Sequence, residues 1–239
     1  MTRIALVLSL CMIVTTTFAS DHNNLDSGRP LSFDDAKTLA YGERAIEFGT
    51  VWNLREDRRP HLSLMTEFKY GIAMNAEIGV GLATHEDYAH ISYLRQLRRE
   101  TDAGPAQAFK IELAFPSTAE GSGVQMHLRW IASRMVGAYD TIHLNLDMEA
   151  DSIHRSGESK LRFGATLGYQ RPLGAPTQFH RTLVGEIGLE PLPRSGWTPN
   201  YGVGMRELIS PREVVDFGIQ ARNRRGFGAT ITAGYSLSF

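Results

Sequence analysis

The last stretch of the chain, Thr232-Ala-Gly-Tyr-Ser-Leu-Ser-Phe239, constrains the fold more than any other, because it alternates strictly and stops on a large apolar residue. Counted back from the end, Phe239, Leu237, Tyr235, Ala233, Ile231 and Ala229 share one face of a strand. Ser238, Ser236, Gly234, Thr232, Thr230 and Gly228 share the other. Successive side chains of a strand point to opposite faces, so one face is greasy and the other small and polar. Soluble sandwiches also end on strands, but this register with a terminal Phe favours a wall that has lipid on one side and a polar lumen on the other.

The same period of two runs from Glu43 onward. In the first strand Ile46, Phe48, Thr50, Trp52 and Leu54 face lipid, and Glu47, Gly49, Val51 and Asn53 face inward. A second strand near Leu62–Tyr70 leads through a tight turn near Gly71 to a third that ends near Leu82, an antiparallel hairpin. The fourth puts Arg95 on the same face as Ile91, Tyr93 and Leu97, which marks either the end of the apolar band or a bulge. Pro116 stops the fifth. Continued to Phe239, the count is about twelve strands, each near the nine to eleven residues that a tilted membrane strand needs. The fold class is therefore all-β: an antiparallel transmembrane β-barrel of about twelve strands, of bacterial outer-membrane type, with a short N-terminal helix. An even count puts both ends of the wall on the periplasmic side.

The inward positions carry both signs of charge. Glu47, Glu67, Lys69, Glu77, Lys110, Glu112, Arg129, His143, Asp147, Glu149, Arg162 and Glu186 are the expected lumen-lining residues. Opposite charges inside a barrel of this width, between a filled eight-stranded barrel and an open porin, either pair and fill it or line a wet pore.

Ahead of the strands lie Arg3, the apolar run Ile4–Val14 and the small residues up to Ala19-Ser20. These are the basic, apolar and cleavage regions of a signal peptide, and the apolar run is too short to cross a bilayer as a helix. The expected division is a signal peptide over 1–20, a periplasmic segment over 21–42 and the barrel over 43–239. Cys11, the one cysteine, falls in the leader. Ser32 with Asp35 three residues on reads as a helix start, and a short helix is expected at about 33–39, placed at or inside the periplasmic mouth. A net charge of −1 argues against a polyanionic partner such as nucleic acid.

His143, Asn145, Asp147 and Glu149 share one strand face and raise the question of a metal or of acid–base catalysis. Residues two apart on a strand stand nearly 7 Å from each other. That is too far for adjacent ligands of one zinc, which bind at about 2 Å. No catalytic set, metal site or cofactor is expected, and no serine stands at local spacing from His143 to suggest a lipid hydrolase.

The pattern Thr232, Gly234, Leu237, Phe239 resembles the terminal signal by which outer-membrane barrels are recognised, which implies the barrel-assembly machinery as a partner. Further back, Arg29-Pro-Leu-Ser-Phe-Asp-Asp-Ala36 ahead of Gly42, with Tyr93-Leu-Arg-Gln-Leu97 and Ala114-Phe-Pro116, resembles the family named for the MetA pathway of phenol degradation, an outer-membrane transporter-like group. Phe33 and Phe115-Pro-Ser117 depart from its usual pattern. The resemblance implies a passive channel in the outer membrane for small solutes, hydrophobic or aromatic ones among them. Arg55, Arg58 and Arg59 after the first strand, with Arg222, Arg224 and Arg225 before the last, form two outer loops that closure brings together. Arginine forks match phosphate oxygens, so outer-membrane lipid and lipopolysaccharide are the expected contacts there.

Overall fold

A computed structural model describes residues 29–239 except 56–57, 85–87, 119–120, 153–156, 176–178, 193–195 and 224–226. The described residues form thirteen strands: β1 (Arg44–Arg55), β2 (Arg58–Ala73), β3 (Ala76–Ala83), β4 (Tyr88–Arg98), β5 (Ala106–Thr118), β6 (Gly121–Ser122), β7 (Gln125–Val136), β8 (Asp140–Asp151), β9 (Leu161–Leu173), β10 (Arg181–Pro191), β11 (Trp197–Ser210), β12 (Glu213–Asn223) and β13 (Phe227–Ser238). Twelve of them make a closed antiparallel wall. The two-residue β6 only folds back on the tip of β5, pairing Ser117 with Ser122.

The wall closes where the chain's last strand meets its first. β13 lies along β1 from Ala45↔Ser238 to Arg55↔Gly228. Phe239 completes the seam, since its N–H donates to the Arg44 carbonyl at 2.9 Å and the Arg44 N–H donates back at 3.1 Å. No wall strand is left with an open edge, which a membrane requires because lipid offers no hydrogen bonds. Phe48, Trp52, Leu62, Leu64, Val80, Ile91, Phe163, Ile187, Val203 and Phe217 are all exposed on the outside. A water-soluble surface rarely carries so large an apolar band, and lipid is its matching solvent. The inward face is buried and polar, with Glu47, Lys69, Asn145, Thr198, Asn200, Ser236 and Ser238 among its least exposed side chains.

Three expectations are corrected. The turn between β2 and β3 is at Met74-Asn75, not near Gly71, and the register slips between Gly71 and Ala73. Pro116 does not stop β5, which runs on to Thr118. The pairing of β5 with β7 ends at Ala114↔Gln125, so beyond it a residue without an N–H is tolerated on that side. Arg95 stands beside a register shift between Gln96 and Arg98, the bulge alternative.

The third correction positions the site. Residues 29–40 hold no helix; they run inside the barrel as a strap of irregular backbone with bends at 30–32 and 36. A two-turn helix is marginal on its own, and as a helix these residues would span only about 18 Å at 1.5 Å each. The expected leader lies outside the described residues.

Candidate functional site

The strap touches every wall strand, and its backbone is held by wall side chains. On one side of the circuit, the Leu39 N–H donates to Glu77 at 2.6 Å, and Ala40 packs over Gly71 of β2. The Ala36 N–H donates to Ser133 Oγ at 3.0 Å, while Gln96 Nε2 donates to the Ala36 carbonyl at 2.9 Å. Asn145 serves Asp34 as a neighbouring strand would: its Oδ1 accepts the Asp34 N–H at 2.7 Å and its Nδ2 donates to the Asp34 carbonyl at 3.0 Å. Glu186 accepts both the N–H and the hydroxyl of Ser32 at 2.8 Å. Thr232 Oγ1 donates to the Pro30 carbonyl at 2.7 Å. Buried backbone groups need such partners, and here side chains supply what a sheet or helix would otherwise provide.

Two ionic anchors fix the strap. Asp34 lies between Arg129 at 2.7 Å and Lys110 at 3.3 Å. Burial alone would raise its carboxyl, but these two cations hold it well below the usual carboxylate range. At the other end, Arg29 reaches the closing seam. Its guanidinium donates to the Phe48 carbonyl at 2.8 Å, to Asp216 at 3.2 Å, and to Glu47 and Ser236 at 3.3 Å, so one side chain ties β1, β12 and β13 together from inside.

Glycines leave the room. A Cβ on Gly168 would stand 2.6 Å from the Phe33 ring, one on Gly202 would stand 2.7 Å from Leu31, and one on Gly204 would stand 2.9 Å from Pro30. At Gly218 and Gly71 a Cβ would run into strap backbone, the carbonyls of Pro30 and Ala40. Apolar contact is thin and centred on the strap. Ala36 packs with Leu94, Ala106, Ala108 and Ile131, and Leu39 packs with Ala45, Val214 and Leu208.

Most of the twelve inward candidates are held in pairs. Glu47 meets Arg29 and Lys69. Glu67 accepts from Ser92 at 3.0 Å and has His90 at 3.5 Å. Lys110 has Glu112 at 4.0 Å besides Asp34. Asp147 takes Arg129 at 2.6 Å and His127 at 2.7 Å, and Arg162 joins Glu149 at 3.0 Å and Asp151 at 2.5 Å. His143 stays apart from Asp147 and Glu149. It stacks on Phe33 with ring centroids 5.0 Å apart, and its Nδ1 lies 2.9 Å from Ser133 Oγ. That serine–histidine pair, invisible to local spacing, is the one arrangement among the described residues that resembles a nucleophile and base. Its Oγ already accepts the Ala36 N–H and both side chains are buried, so it reads as a strap anchor. Among the described residues no group of His, Asp and Glu is arranged to hold a metal ion.

A cavity of about 510 Å³ opens at the mouth where the wall begins and ends, with Lys37, Arg99, Glu100, Tyr139, His143 and Phe179 on its walls. Beside Arg29, under Met65, Glu67 and His90, there is about 20 Å³, room for roughly one water.

Of the arginine loops, Arg55 and Arg222 both lie opposite Gly228, so the two loops are neighbours. Arg222 pairs with Glu190 at 3.2 Å. Arg224 and Arg225 fall outside the described residues. Sequence reading missed Arg29, Asp34, Ser133, Asn145 and Asp216 as members of one site. The signal that could have found it is the run of inward glycines, Gly202, Gly204, Gly218 and Gly234, on three successive strands.

No protein-family model and no curated protein matches the chain. Solved structures do. The KdgM porin in complex with disordered oligogalacturonate is 9% identical with a TM-score of 0.59, covering 82% of this chain and 99% of its own. The NanC porin is 7% identical with a TM-score of 0.59, covering 80% and 98%. The translocator domain of autotransporter NalP from Neisseria meningitidis is 13% identical with a TM-score of 0.50, covering 84% and 89%. At such identities the likeness is one of fold: a porin-type barrel of the same size.

Proposed function

We propose that this chain is an outer-membrane channel for small solutes whose lumen is narrowed by its own residues 29–40. The observation that carries the reading is a closed twelve-stranded wall with an apolar outside and a charged inside, crossed by a strap that meets every wall strand. The likeness to porins supports passage of solutes as the task. The resemblance of Arg29–Ala36 to the MetA-pathway group supports small hydrophobic or aromatic solutes, and Tyr139 and Phe179, with ring centroids 5.8 Å apart at the wide mouth, give such a solute an apolar shelf. The outer rim, where the loops of Arg55 and Arg222 adjoin, is the place for lipopolysaccharide phosphates, with Arg58, Arg59, Arg224 and Arg225 as the remaining candidates. Assembly through Thr232, Gly234, Leu237 and Phe239 and removal of residues 1–20 complete the reading.

The strap itself favours a second reading, a barrel that is filled and does not conduct. Single-channel current in planar bilayers separates the two. The full chain is expected to conduct weakly and a variant lacking residues 21–40 to conduct several-fold more. Equal, near-zero current from both folded proteins would leave the structural barrel.

A further inference from the structure

The wall does not need the strap for its backbone. Each wall strand pairs with a neighbour on either side, and the ring closes through β1 and β13 and through β4 and β5 without any strap hydrogen bond. The strap for its part takes its partners almost wholly from side chains: Glu186 for Ser32, Asn145 for Asp34, Ser133 and Gln96 for Ala36, and Glu77 for Leu39. Donors and acceptors set for alternate residues are how a receptor grips an extended peptide. Its covalent tie to the wall is a short turn, in which the Glu43 N–H returns to the Ala40 carbonyl at 3.1 Å while Tyr41 and Gly42 stand exposed.

We propose that the lumen is a binding site for an extended peptide, that residues 29–40 are its ligand carried in cis, and that this ligand leaves and returns without unfolding of the wall. Side-chain selectivity is built in. Gly204 and Gly218 admit Pro30, Gly202 admits Leu31, and Gly168 admits the Phe33 ring. Its two charged side chains are read by Glu47 with Asp216 at Arg29 and by Lys110 with Arg129 at Asp34. Binding that rests on polar groups and thin apolar contact responds to ionic strength more than a greasy plug would, because ion pairs are screened once water reaches them. The inference deepens the channel reading, and rests on it only for the consequence that departure of the peptide opens the lumen.

The test uses the full chain with a protease site inserted between Tyr41 and Gly42, folded first and then cut; a second variant with the site between Gly42 and Glu43 serves if the first folds poorly. The expected result is that the cut peptide stays at low salt, washes out at high salt while the wall keeps its folded, heat-modifiable mobility, and is replaced saturably by fluorescent synthetic peptide 29–40. The same peptide carrying Asp34→Asn should bind at least tenfold more weakly. Retention of the cut peptide under every condition that leaves the wall folded overturns the proposal, as does an emptied barrel that ignores the synthetic peptide or binds the two peptides equally. Saturable rebinding with no change in bilayer current upholds the peptide site and instead removes the channel reading.

Discussion

Asp34 shows how much one residue of the strap decides. Its carboxylate is buried between Lys110 and Arg129, and Arg129 is shared with Asp147, so its loss leaves buried positive charge without a full partner. Breaking a buried pair on one side costs roughly 3–5 kcal/mol. Undocking the strap lets water reach those cations, so Asp34→Asn should release the strap before it unfolds the wall. The measurement is proteolysis at the exposed Tyr41 turn, expected to speed up at least tenfold with the heat-modifiable mobility unchanged. The sign of the pH dependence follows from the lowered carboxyl. A group depressed in the docked state contributes fully above its undocked value near 4 and loses that contribution only as pH falls toward the depressed value. The difference in proteolysis rate between the wild type and Asp34→Asn should therefore be flat from pH 8 to pH 5 and shrink only in stronger acid, with Lys110, Arg129 and Lys69 the cations that act on Asp34. Gly218 tests the recess. A Cβ there meets the Pro30 carbonyl, a backbone atom that cannot swing aside, and overpacking of this kind costs about 1–3 kcal/mol. Gly218→Ala should loosen the strap in the same proteolysis assay, whereas Gly185→Ala, with only the Gly202 carbonyl 3.8 Å away, should not.

Among the elements, β13 carries the closure. Eleven register pairs with β1 and the two hydrogen bonds between Phe239 and Arg44 hold it, and Arg29 clasps the same seam from inside. Deleting Phe239 removes both the last pair and the residue that ends the assembly-like pattern, so the folded, heat-modifiable fraction in outer membranes should fall several-fold. Unchanged yield would separate the terminal residue from assembly. The strands were legible because a wall between lipid and water forces apolar and polar residues to alternate, and Ile46 to Leu54 or Ile142 to Met148 carry that pattern without help from distant residues. What was misread had its cause elsewhere. Gly71 looked like a turn but is small because Ala40 lies on it, and Pro116 looked like a stop but sits where β5 has outrun β7. Ser32 and Asp35 looked like a helix start, yet Ser32 is bonded to Glu186, 154 positions away in the chain. The strap was illegible as a strap because every group that extends it comes from a different strand.

At the scale of the molecule, wall and strap divide the work. The wall is self-sufficient in its backbone bonding, and its charged interior would be costly to bury if it stayed empty of partners. The strap supplies some of those partners, Arg29 for Glu47 and Asp216, and Asp34 for Lys110 and Arg129, and in doing so it occupies the lumen. The proposed departure of the strap therefore has to give up these ion pairs. The most direct check is a disulfide inside the folded barrel, since the mature chain is expected to lack the single Cys11. Ala36→Cys with Ser133→Cys joins two sites where the Ala36 N–H now meets the Ser133 hydroxyl at 3.0 Å. Oxidation of intact outer membranes should crosslink this pair nearly completely, while Ala36→Cys with Thr230→Cys, on the far wall, should stay reduced. A folded barrel in which the first pair fails to crosslink, or in which both pairs crosslink alike, would contradict a strap seated in the lumen.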